Sequence, residues 1–139
     1  MTPGSSPTAS VRALVGGRAK GTAVMLDEPL SFWGGFDPET GRITDPRHPQ
    51  RGTVLTGRVV VMPSGRGSSS SSAVLAEAVR IGTAPAAIVL YEPDPIVVLG
   101  AVVASELYGR TVPIVLAPPG LASDGDDLEI DGDRLTKLG

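Results

Sequence analysis

The residues best suited to chemistry in this 139-residue chain are Gly65-Arg66-Gly67 and the five serines that follow, Ser68 to Ser72. Glycines let a backbone turn sharply and approach a ligand with no Cβ in the way. A helix starting just beyond such a loop offers unpaired N–H groups and partial positive charge, which suits an anion. A serine hydroxyl there can cap the helix, bind an anion, or take up a proton once its alkoxide is stabilised. An N-cap followed by a serine-rich linker is the alternative that pattern alone leaves open. Against it, a flexible linker does not ordinarily separate a buried strand from an amphipathic helix. No Gly-Lys-Ser/Thr follows the glycines, which excludes a Walker A phosphate loop. Ser68 is not centred in Gly-x-Ser-x-Gly and the single histidine, His48, lies upstream, which speaks against a nucleophile elbow.

A second group lies in the stretch from Asp27 to Thr53. Gly34-Gly35 can turn backbone N–H groups toward a carboxylate, and Arg42, Arg47 and Arg51 can pair with an acid or a partner subunit. Phe32, Trp33 and Phe36 are expected to form a small satellite core that pins this stretch. His48, without a paired nucleophile, is expected at the surface or as a cap. Asp45 before Pro46 suits an Asx turn. Among the later acids, Asp94 between two prolines reads as a helix cap and Glu106 as a surface residue. Asp124, Asp126 and Asp127 read as a solvated turn, since no EF-hand spacing follows them.

The elements that must position these residues follow from the apolar pattern. Gly57 to Met62, Ala86 to Tyr91 and Val112 to Ala117 are continuous apolar runs, the signature of strands buried on both faces. Between them, Val74, Leu75, Ala78 and Ile81 fall at helical spacing, which predicts a helix over Ala73 to Ile81 closed by Gly82. Asp94-Pro95 predicts the start of a second helix, through Leu107 and closed by Gly109. Val11 to Val15 and Thr22 to Leu26 read as short strands, and Leu128 to Leu138 as a hairpin around Asp131-Gly132. Strands alternating with helices predict an α/β architecture. The stretch from Asp27 to Thr53, punctuated by four prolines, is too long for an ordinary connection and reads as a functional loop. Residues 1–10, rich in Pro, Ser and Gly, are expected to be a mobile tail, leaving 11–139 as one domain.

Composition removes several functions. With 12 Lys+Arg against 15 Asp+Glu and no basic run, the chain is a poor nucleic-acid binder. It has no cysteine, so it holds neither a disulfide nor a thiolate-ligated metal or iron–sulfur cluster. One histidine excludes a multi-histidine zinc site. The longest apolar run, Ile96 to Ala104, falls short of the roughly 18 residues of a membrane span. The N-terminus lacks the pattern of a secretion signal, so a cytoplasmic protein is expected.

Several separate stretches together resemble the swivel domain of aconitase X: Ser31 to Gly41 (SFWGGFDPETG), Arg42 to Pro49 (RITDPRHP), Gly65 to Leu75 (GRGSSSSSAVL), Ala84 to Leu90 (APAAIVL) and Gly100 to Gly109 (GAVVASELYG). The resemblance covers about residues 11–118, with the motifs in order. It implies a swivelling β/α/β domain, related to the small subunit of isopropylmalate isomerase. It further implies the small part of a hydro-lyase whose large subunit carries the iron–sulfur cluster or divalent metal. The family's substrates are mevalonate 5-phosphate and cis-3-hydroxy-L-proline. Carried onto this chain, the superfamily's Gly-x-Gly-Ser-Ser-Arg motif makes Ser68 the base that removes the substrate's Cα proton. Gly65, Arg66, Gly67, Ser69 and Ser70, together with Gly34 and Gly35, are the residues expected to bind the substrate. Where the superfamily motif has arginine this chain has Ser70, so carboxylate binding falls to backbone N–H groups, Arg66 or the large subunit.

Three functions are therefore in play. The first is the small subunit of a dehydratase, with a leaning to cis-3-hydroxy-L-proline because the cations are nearly all arginine. The second is a non-catalytic module whose Gly/Ser loop holds an anion. A stand-alone hydrolase is weakest, lacking a Ser–His–Asp constellation.

Overall fold

The computed structural model describes residues 8–138. Its framework is four parallel strands in chain order: β3 (Arg18–Met25), β6 (Val59–Met62), β7 (Ala87–Leu90) and β8 (Ile114–Leu116). Helix α2 (Ser71–Ile81) connects β6 to β7, and α3 (Pro95–Tyr108) connects β7 to β8. Two successive crossovers in the same direction place both helices on one face of the sheet. Gly82 and Gly109 end them in the left-handed region.

Antiparallel strands extend both edges. β2 (Arg12–Val15) adds to β8, while β9 (Asp127–Asp131), β10 (Arg134–Leu138) and β1 (Thr8–Ser10) continue outward from β3. The outermost strands of this eight-stranded order are β1 and β2, and only Val11 separates them in the chain. One residue spans under about 4 Å per Cα step, so the two edges must meet and the sheet closes on itself. Val11 N–H donates to the Asp133 carbonyl at 2.8 Å at that seam.

The period-2 alternation of the strands divides the core in two. Val60, Met62, Ile88, Leu90 and Ile114 pack under the helices against Leu75, Val79, Val97 and Ala101. Val59, Val61, Ala87, Val89 and Val115 face the interior of the closed sheet and meet Leu128, Ile130 and Leu135. The two helices lie close because Gly100 faces Ser72; a Cβ there would stand 2.9 Å from the Ser72 carbonyl oxygen.

Three expectations need correction. Thr8–Ser10, read as part of a tail, form β1 and pair with β10; the rest of that tail, residues 1–7, lies outside the described residues. Helix α2 starts at Ser71 rather than Ala73, because its buried face runs one turn further back. The stretch from Asp27 to Thr53 carries no satellite core. It contains the four-residue segment α1 (Phe32–Gly35), whose Trp33 (φ −80°, ψ 114°) and Gly34 (φ 77°, ψ −12°) turn the chain with non-helical angles, and the hairpin of β4 (Phe36–Asp37) and β5 (Arg42–Ile43). Phe32, Phe36 and Ile43 are buried in the helix-side core itself, the two rings edge-to-face at 5.2 Å, whereas Trp33 is 58% exposed.

His48 is also not at the surface. It is buried, though it does cap a local turn as the other half of the expectation had it, its Nδ1 accepting the Gln50 N–H at 3.0 Å. Nε2 therefore carries the proton and donates to the Glu28 carbonyl, 3.1 Å away. This histidine clamps two parts of the loop together. Asp45 forms the expected Asx turn, accepting the Arg47 N–H at 2.9 Å, and Arg42 holds the Gly52 carbonyl at 3.2 Å.

Candidate functional site

Parallel strands release their following loops at the same edge, so the starts of α2 and α3 come together beyond β6 and β7. The Gly/Ser loop lies there, with the Pro63 carbonyl accepting N–H groups of Tyr91 and Glu92 at 3.1 and 3.0 Å. The long loop approaches from the other side. Leu30 forms a parallel bridge with Gly65, and Arg66 N–H donates to the Leu30 carbonyl at 3.0 Å. Two segments over thirty residues apart in sequence thus run side by side.

Gly65 is required by its neighbours. A Cβ at this position would stand 2.1 Å from Asp94 Oδ2 and 3.0 Å from Val97 Cγ2. Asp94 is the cap of α3, its Oδ1 accepting the N–H groups of Ile96 and Val97 at 3.0 and 3.2 Å. That carboxylate also lines the hollow at the loop.

Ser68 lines the same hollow and is partly exposed. Its Oγ accepts the Ser70 N–H at 3.3 Å, and its carbonyl accepts the Ser71 N–H at 2.9 Å. Ser68 is in effect the cap of the turn that leads into α2, since Ser70 makes no side-chain cap. An Oγ that accepts an N–H at a helix start is stabilised more as an alkoxide than as a hydroxyl.

Of the residues expected at the site, Gly65, Arg66, Gly67 and Ser68 line this hollow. Ser69 and Ser70 stand exposed on the turn outside it. Gly34 is exposed with φ 77°, and Gly35 is buried with its carbonyl taken by Thr44 N–H at 2.9 Å. Neither glycine lines the hollow. Arg66 reaches Glu28 at 3.6 Å, both about half exposed, a pair that contributes little to stability in water.

Sequence reasoning missed Ser71. It is 3% exposed and lines the hollow. Its Oγ accepts the Trp33 N–H at 3.1 Å, tying the long loop to the first turn of α2. The signal was present: Leu75, Ala78 and Val79 mark the buried face of α2, and Ser71 lies one turn earlier on that face.

The hollow measures about 10 Å³, the room of roughly one water molecule. Pockets that enclose a small organic ligand run to roughly 300 Å³ or more. The hollow is thus too small to enclose such a ligand. Larger open depressions, of about 360 and 180 Å³, lie along β3, β9 and β10 and include none of the expected site residues. Among the described residues no group of three or more His, Asp or Glu side chains could hold a metal ion, and the chain has no cysteine. No helix among the described residues is long and apolar enough to cross a membrane.

Fold and loop together define a swivel domain of the aconitase kind. Residues 8–137 match the aconitase X swivel domain, and the chain belongs to that family. It is 50% identical over 103 residues, 74% of its length, to the cis-3-hydroxy-L-proline dehydratase of Pseudomonas aeruginosa, spanning 18% of that protein. It is 37% identical over 127 residues to the phosphomevalonate dehydratase small subunit of Methanothermobacter thermautotrophicus, covering 88% of this chain and 92% of that one. Its structure superimposes on the crystal structure of Thermococcus kodakaraensis aconitase X, holo-form, with a TM-score of 0.86 and 32% identity. That match covers 96% of this chain and 99% of the other.

Proposed function

We propose that this chain is the small subunit of a hydro-lyase, forming a cytoplasmic heterodimer with a large subunit, and that Ser68 is its general base. The observation that carries the reading is a hollow of about 10 Å³ lined by Gly65, Gly67 and Ser68 at the start of α2. It has reactive character but no room for a substrate, so a second polypeptide must supply the facing wall. Relatives that are dehydratase small subunits, or longer dehydratases, support the same division of labour.

In this reading the substrate's Cα–H bond breaks and its proton passes to Ser68 Oγ. The bonding electrons form the new Cα=Cβ bond as hydroxide leaves from Cβ, and the net loss is one water. The departing hydroxyl is handled by the large subunit, which also bears any metal centre. A serine is a feeble base in bulk water, so its alkoxide needs the Ser70 N–H, the α2 terminus and exclusion of water by the docked subunit. Ser69, Ser70 and Gly34, all exposed, meet the substrate or that subunit in this reading. Gly35 acts indirectly, by shaping the turn beneath. The preferred substrate is cis-3-hydroxy-L-proline, on the 50% identity to a dehydratase of that name. Mevalonate 5-phosphate is the second reading, on the near full-length match to a phosphomevalonate dehydratase small subunit.

Reconstitution with the large subunit tests this. Ser68→Ala is expected to lower kcat by about 10²- to 10⁴-fold while the two chains still co-elute. Retained turnover removes Ser68 from the role. Assay of the wild-type pair on both substrates decides between them. Tight phosphate or carboxylate binding by the isolated chain, seen by calorimetry, would instead favour an anion-binding module.

A further inference from the structure

Trp33 is the most exposed aromatic side chain of the described residues, yet its backbone is held from both sides. Its N–H donates to Ser71 Oγ at 3.1 Å, and its carbonyl accepts from Ser31 Oγ at 2.9 Å. The two hydroxyls are 3.4 Å apart. Ser31 spends its proton on the Trp33 carbonyl, so the proton between the hydroxyls must come from Ser71. Trp33 N–H, Ser71 and Ser31 then form a closed ring in which each hydroxyl donates once and accepts once. Such rings strengthen their members.

The neighbours add to the restraint. Phe32 and Gly35 are buried on either side of Trp33-Gly34. The fold thus holds this turn firmly while leaving the indole 58% exposed. The backbone that carries this indole is already ordered, so docking it costs side-chain rotamer freedom and no further loop ordering.

We infer that Trp33 is the anchor by which this chain docks on its large subunit, an inference that rests on the heterodimer proposed above. The position favours a partner over a substrate. Trp33 does not line the hollow at Ser68, but Ser71, which holds its N–H, does. The exposed indole thus belongs to a residue one hydrogen bond from the hollow, beside the surface that a roofing partner would cover. Arg66 and Glu28, half exposed at the Leu30–Gly65 bridge, supply a charged rim, and an aromatic centre with a polar rim is how protein interfaces are built. The receiving surface is an apolar pocket with a hydrogen-bond acceptor at its edge for the indole N–H.

Trp33 is the chain's sole tryptophan, so the chain made with 5-fluorotryptophan gives one ¹⁹F resonance. On titration with unlabelled large subunit that resonance is expected to move and to lose its sensitivity to solvent. Trp33→Ala should weaken association by roughly thirtyfold or more. Leu107→Ser, an exposed residue in the last turn of α3, should associate as the wild type does. An unmoved resonance in a complex shown by gel filtration to have formed would overturn the inference. So would a Trp33→Ala chain of wild-type affinity, whether its KM is unchanged or raised. If the wild-type chains form no complex at all, the heterodimer itself fails, which is a different result.

Discussion

Helices α2 and α3 start side by side at the same edge of the sheet, and they begin in opposite ways. At α3 a carboxylate is spent on the problem: Asp94 Oδ1 takes two backbone N–H groups, and Pro95 removes a third donor. At α2 the only side-chain acceptor is a serine hydroxyl, Ser68, which reaches one N–H at 3.3 Å. Ser70, the residue flanking the helix, caps nothing with its side chain. The same local need is met fully within the chain in one case and weakly in the other. An underused helix start beside a hollow is where an added negative charge, on Ser68 or on a ligand, gains most.

The comparison can be broken by mutation. The largest expected effect is Gly65→Ala, whose methyl would collide with Asp94 and Val97 and dislodge the well-made cap. A loss of about 1–3 kcal/mol is expected in urea denaturation, and a wild-type midpoint would mean that the two loops are not locked together. Asp94→Ala should cost about 1 kcal/mol, with Asp94→Asn recovering much of it. Ser68→Ala should cost at most about 0.5 kcal/mol, although its effect on turnover is expected to be the greatest of all. Equal losses of stability for Ser68→Ala and Asp94→Ala would erase the distinction between the two helix starts.

The smallest effect belongs to the middle of α2. There the Arg80 guanidinium hydrogen-bonds Glu77 and holds its carboxyl below the ordinary value. A lowered value means the pair's support is present at neutral pH and disappears as pH falls through the folded-state value. Both groups are exposed, so screening reduces the effect. Glu77→Gln should leave the thermal midpoint unchanged at neutral pH.

Much of this was legible in the residues. Asp94-Pro95 and the Asp131-Gly132 hairpin were readable because their rules are local: the acceptor lies two or three residues from the donor. The buried strands declared themselves by unbroken apolar runs. The Gly65–Ser68 loop could be singled out from its spacing and from the family it resembles. Trp33, Phe32 and Phe36 were misjudged together, since nothing local says which of three neighbouring aromatics turns inward. His48 was misplaced for the same reason: its partners, Glu28 and Gln50, are brought together by the course of the loop. Ser71 was hidden among five identical residues until the helix register separated it.

From its residues alone, this protein's alternating elements, the glycine ends of its helices and the chemical character of one glycine–serine loop were determined, because each depends on contacts within a few positions along the chain. The tertiary structure decided the rest. It joined the two sheet edges across Val11, set Leu30 beside Gly65, turned Ser71 inward and left Trp33 outside. These outcomes depend on which surfaces compete for burial once the sheet has closed, and that competition is settled among residues far apart in sequence.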